Sequence, residues 1–108
     1  MTRETDNGLE SVWIARLELH LRKERPEYDR GFRGAFTTMV VRCDSSEDFL
    51  ATAREHLGRI GFDIAEVERL SPISAGKFEM NAVMEDLVNR TRQYPVQWTT
   101  FHLFKGDA

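Results

Sequence analysis

Over residues 12–22 apolar and polar side chains alternate, with Trp13, Ala15, Leu17, Leu19 and Leu21 separated by Ile14, Arg16, Glu18, His20 and Arg22. A period of two sends each set to its own side of an extended chain, so this stretch reads as a strand with five apolar residues on one face. Residues 22–34 contain Pro26, two glycines and eight charged side chains, which predicts a loop or the flared end of a hairpin. Residues 35–44 are rich in β-branched and aromatic types, including Phe36, Thr37, Thr38, Val40 and Val41, and read as a second strand, antiparallel to the first.

At Asp44 the pattern changes period. Ser45 followed three residues later by Asp48 resembles a capping box, and the acids of this stretch suit the positive end of a helix dipole. Phe49, Ala53, Leu57 and Ile60 then form one apolar stripe, and Gly61 is suited to the position that ends such a helix. Residues 62–70 read as a third strand halted by Ser71-Pro72. Met80, Val83, Met84, Leu87, Val88 and Thr91 recur at helical spacing, in a helix that must stop before Pro95. Residues 96–104, dense in aromatics and threonine, read as a fourth strand.

The order is ββαβαβ, which predicts an α+β two-layer sandwich: a four-stranded mixed sheet with two helices on one face. Residues 11–104 form the single domain, residues 1–10 a flexible lead-in and residues 105–108 a loose tail. The order differs from the βαββαβ of a ferredoxin-like domain. The outline resembles small bacterial domains in which a β-hairpin precedes a helix, a likeness that implies no function.

Composition narrows the classes. With 41% hydrophobic and 31% charged residues over 108 positions, the chain fits neither a disordered polyelectrolyte nor a membrane span. A net charge of -3 disfavours general nucleic-acid binding. One cysteine, Cys43, forms no internal disulfide, and no apolar run reaches the length of a signal or membrane segment, so the expected compartment is the cytoplasm.

The chemistry-bearing residues are scattered. His20, His56 and His102 lack the spacing of a helical metal pair, so no metal and no cofactor is expected. His102 shares a strand face with Trp98, Thr100 and Phe104 and is the candidate acid or base. Cys43 precedes a helix start, but Asp44, Glu47 and Asp48 oppose a thiolate there. The helix starts lack a glycine-rich phosphate cradle: the first has no glycine, and Ser74-Ala75-Gly76-Lys77 lacks the required spacing. The 22–34 loop sets Arg22, Lys23, Arg25, Arg30 and Arg33 against Glu24, Glu27 and Asp29 and carries Tyr28 and Phe32. Arginine interleaved with aromatics suits either a salt-bridged hairpin loop or the rim of a protein contact, and Arg30, Phe32 and Arg33 are its candidate members.

The strands also carry apolar residues on both faces. Val12, Ile14, Phe36 and Val40 lie away from the face assigned to the helices, with Trp98 on the last strand, although a sheet covered on one side should be polar on the other. Exposed together, such residues would form a patch of the size that marks interaction sites. The expected function is therefore a small binding or regulatory domain acting as a sheet-mediated homodimer that encloses a small-molecule ligand. The alternatives are an immunity- or adaptor-like protein that binds another protein through the sheet face and the 22–34 loop, and a dimeric α+β barrel enzyme using His102.

Overall fold

The computed structural model describes residues 11–76 and 78–106. The expected lead-in over residues 1–10 lies outside them. Strand β1 (Val12–Leu21) is followed by a short helix α1 (Pro26–Asp29), strand β2 (Phe32–Arg42), helix α2 (Ser46–Arg59) and strand β3 (Phe62–Pro72). A 3-10 turn at Ile73–Ala75 leads to helix α3 (Ala82–Arg90), and strands β4 (Val96–Trp98) and β5 (His102–Lys105) close the chain.

The class is α+β, as the element order implies, but the sheet has five strands and all its pairings are antiparallel. β1 lies between β2 and β3, while β4 and β5 run end to end along the outer edge of β2. The fourth strand of the sequence reading is thus two strands. They are parted at Thr99, where the Thr38 N–H donates to Thr99 Oγ1 at 3.0 Å and Thr37 Oγ1 donates to Thr99 O at 2.9 Å. A side chain takes the place of a ladder carbonyl, and the backbone leaves the edge after Thr99, whose own N–H still donates to Thr38 O at 2.9 Å, until His102.

The 22–34 segment is also more ordered than a loop. Pro26 opens α1, a position where its missing N–H costs nothing, and Phe32 and Arg33 already belong to β2, Phe32 opposite Lys105. Lys105, assigned to the loose tail, is therefore ladder-paired.

α2 begins as its sequence signals: Ser45 Oγ accepts the Asp48 N–H at 3.1 Å. Phe49, Ala53 and Leu57 are fully buried against Ala15, Leu17, Leu19, Ala35 and Met39. Gly61, at φ 94°, turns the chain into β3. Its open side is filled by Arg25, whose Cγ would stand 2.6 Å from a Cβ at this position.

β3 shows how an irregular apolar spacing is made to fit a sheet. Ile64, Val67 and Leu70 recur every third residue, yet all three pack against the core under α2. A regular strand cannot place such residues on one face. Two register shifts against β1, one between Ile14/Arg16 and one between Glu18/Leu19, each add a residue to β3 and restore the facing. Arg69 occupies the first of them in the left-handed region, at φ 59°. These bulges also disrupt an otherwise long free edge.

The second helix overturns the expected layering. α3, capped by Asn81 Oδ1 accepting the Met84 N–H at 2.9 Å, places Leu87 and Val88 on Val12, Ile14 and Val40. These three strand residues are at most 1% exposed. The helices therefore lie on opposite faces of the sheet. α2 covers the face of Leu17 and Met39, and α3 covers one end of the other. No helix among the described residues is long and apolar enough to cross a membrane.

Candidate functional site

Several concavities among the described residues combine polar and apolar groups. One, about 440 Å3, lies on the α2 face and is lined by Val41 and Arg42 of β2, Thr52 and His56 of α2, Tyr94 and Pro95 ahead of β4, and Val96 and Trp98 of β4. Its origin is a displacement of layers: α2 packs chiefly toward β3, and the β4 side of the same sheet face has no helix above it. Register places Val96 opposite Val41 and Trp98 opposite Met39, so the apolar side chains of β4 point to that uncovered side.

His56 gives the cleft a defined polar group. One helical turn separates it from Thr52, whose carbonyl lies 3.0 Å from His56 Nδ1. A carbonyl only accepts, so Nδ1 carries the hydrogen of this bond, and Nε2 is left for other partners. Tyr94, 63% exposed, stands at the mouth. Among the candidate binding residues named from sequence, Trp98 alone falls here. His56 enters that reading only as a histidine without metal-pair spacing, and no spacing links it to the strand that meets it some forty residues later.

A smaller dent of about 260 Å3 lies on the opposite face, beyond the reach of α3, lined by Arg16, Phe36, Thr37, Thr38, Thr99 and His102. The break between β4 and β5 creates it. Phe36 is half-buried, stacks near Phe104 with ring centroids 5.1 Å apart, and has the Arg16 guanidinium 5.1 Å above its ring centroid. His102 is exposed and faces Phe36 across the β2–β5 ladder. It does not share a face with Trp98, because the break at Thr99 reverses the alternation: Trp98 pairs with Met39, whereas His102 pairs with Phe36.

A third concavity, about 360 Å3, gathers Arg22, Arg25 and Arg59 at the C-terminus of α2. Every one of these guanidinium groups is engaged. Arg22 donates to Gly58 O and Asp63, Arg25 to Ile60 O and Glu27, and Arg59 to Glu55. Arg22 and Arg25 satisfy carbonyls at the end of the helix, and all three cations complement the negative end of its dipole, which is a stabilising role.

The remaining sequence candidates have partners within the chain. Val12, Ile14 and Val40 are the seat of α3, so the apolar patch they were expected to expose is internal. Arg33 lies 3.7 Å above the centroid of Tyr28 and donates to Tyr28 O at 2.8 Å. Arg30 and Lys105 flank Phe32 at 5.9 and 4.6 Å. Those rings are already occupied by the chain's own cations. Burial raises the Cys43 thiol above its ordinary value, and the thiol donates to Ser45 O. Among the described residues no cluster of three metal-ligating side chains occurs. Comparison with family models, curated proteins and solved structures finds no match.

Proposed function

We propose that the chain is a cytosolic binding domain whose ligand is a small, largely apolar molecule seated between α2 and β4. The observation that carries this reading is the cleft of about 440 Å3, with its floor of Val41, Val96 and Trp98 and its single imidazole. Ligand sites fall in the range of about 300–1,000 Å3 and combine apolar walls with a few fixed polar groups. The Thr52 carbonyl orients His56 in advance, leaving Nε2 as an acceptor for a ligand hydroxyl or N–H.

The test uses 8-anilinonaphthalene-1-sulfonate and indole as probes, read by fluorescence for the first and by amide chemical shifts for the second. Saturable binding of at least one, with shifts confined to Thr52, His56, Val96 and Trp98, is the expected result. Thr52→Trp, which fills the cleft from the exposed side of α2, should weaken that binding at least about tenfold while the fold is retained. Equal binding by the filled variant, or no saturation by either probe up to about 1 mM, overturns the reading.

A face-to-face homodimer is the second reading, favoured by the half-buried Phe36–Phe104 pair on the uncovered half of the α3 face. It now has fewer apolar anchors than Val12, Ile14, Phe36 and Val40 together would have supplied. Light scattering at tens of micromolar tests it: a dimer mass that Phe36→Glu converts to a monomer supports it, and a monomer mass for the unmodified chain ends it.

A further inference from the structure

We propose that the dent on the α3 face, at the break between β4 and β5, is a binding site for a small carboxylate-bearing molecule, with Arg16 as the charged anchor. Four ion pairs are formed among the described residues: Arg22–Asp63, Arg25–Glu27, Arg59–Glu55 and Arg90–Asp86. Arg16 is in none of them, although strand register sets it opposite Glu68. Its guanidinium leans the other way, across β2 and over the Phe36 ring, where it becomes part of the wall of the dent. A guanidinium carries five N–H donors in a fixed fork that fits the two oxygens of a carboxylate, and an aromatic face beneath it leaves the edges of the fork open.

The other lining groups suit the same ligand. The Thr38 hydroxyl lies on β2 directly across from Arg16, and His102 lies on the next strand, across from Phe36. Both side chains can donate to an oxygen anion. Thr99, whose own hydroxyl accepts the Thr38 N–H, fixes the floor. Phe36 offers apolar surface to the body of the ligand. A volume of about 260 Å3 is below that of drug-sized sites and suits a single small acid such as an aryl carboxylate. Glu66 and Glu68 lie on the β3 side of Arg16, and Glu18 stands on β1 directly across from Phe36. Their charge lowers the affinity of any anion, and a single carboxylate meets less of that repulsion than a dianion does.

The site is separate from the α2–β4 cleft, so the two readings stand or fall apart. Amide and Arg16 Nε–H chemical shifts, followed during titration with benzoate, report on it. Benzoate should bind saturably in the millimolar range, shifting Arg16, Phe36, Thr38, Thr99 and His102 and leaving Thr52 and Val96 in place. Benzamide, which has the same shape without the charge, should bind at least about tenfold more weakly, as should Arg16→Gln. Glu68→Gln should tighten benzoate binding. Inorganic phosphate separates the chemical classes: a carboxylate site prefers benzoate, and a site that prefers phosphate overturns the assignment. So does benzoate binding that Arg16→Gln leaves unchanged, or the absence of saturation at about 50 mM.

Discussion

The ring of Phe104 lies across the face of Gly34 so closely that a Cβ on Gly34 would stand 2.0 Å from Phe104 Cζ. The two residues are ladder partners on β2 and β5, and glycine is required here for space, because an aromatic residue covers the gap that glycine leaves in a strand. Gly34→Ala should therefore cost about 1–3 kcal/mol in urea unfolding, by pushing Phe104 off the sheet and away from Phe36. In a Phe104→Ala background the same substitution should cost much less. Equal costs in the two backgrounds would show that the contact is not what selects glycine.

α3 should hold the sheet through two residues and otherwise tolerate change. Leu87 rests on Val12, Ile14 and Val40, whereas Val83 is 60% exposed. Leu87→Ala should cost about 2–3 kcal/mol, and Val83→Ala about 0.5 kcal/mol or less. Paired urea denaturation curves check the contrast. Similar small losses for both would mean that the helix lies loosely on the sheet.

That packing also explains which parts of the fold could be read in advance. Alternation in β1 and the stripe of α2 are local signals, and both elements form where their residues indicate, except that Ile60, the last of the expected stripe, is the C-cap of α2 and exposed. The side of the sheet on which a helix lies is not local: periodicity identifies the apolar face of α3 and says nothing of which sheet face receives it. Val12, Ile14 and Val40 were thus read as an open patch, when they are the footprint of α3. Their confinement to one end of the strands, with Arg16, Glu18 and His20 taking over at the other, matches a helix of nine residues and was the available clue. The two concavities were less legible. Each depends on a geometric offset, the position of α2 over the sheet for one and the break at Thr99 for the other. Trp98 and His102 could be singled out as chemistry, but not the faces on which they stand.

The 22–34 segment should prove structural at Phe32 and Arg33, which open β2, and dispensable at Arg30. Phe32 is half-buried, packs on the main core and pairs with Lys105, while Arg33 covers Tyr28 and caps its carbonyl. Replacing Arg30, Phe32 and Arg33 together by alanine should lose about 2 kcal/mol or more, most of it from Phe32. Arg30→Ala alone should change stability by no more than about 0.5 kcal/mol. If the triple variant unfolds at the wild-type urea concentration, these residues form a free contact rim and contribute nothing to the fold.

Acid should weaken the same end of the molecule through two carboxylates. Asp63 accepts hydrogen bonds from Arg22 Nε and Nη2 at 2.9 and 2.7 Å, and Glu27 accepts from Arg25 Nε and Nη2 at 3.0 and 3.1 Å. These bonds hold both carboxyl groups below their ordinary values. A group that is more acidic in the folded chain than in the unfolded one stabilises the fold at pH above its unfolded value. Its contribution is lost as pH falls through the folded value. Stability should accordingly be level in this respect above about pH 5 and decline below about pH 4. The Arg22–Asp63 pair is exposed and the Arg25–Glu27 pair half-buried, so the share of the first is small and should shrink further in salt, more than that of the second. Urea midpoints at pH 6 and pH 3 measure the decline, and the Asp63→Asn, Glu27→Gln double variant should show a smaller difference between them. An undiminished difference would assign the acid sensitivity to other carboxylates and leave Arg22 and Arg25 with their contacts to the carbonyls that end α2 and, for Arg25, to the Phe62 ring.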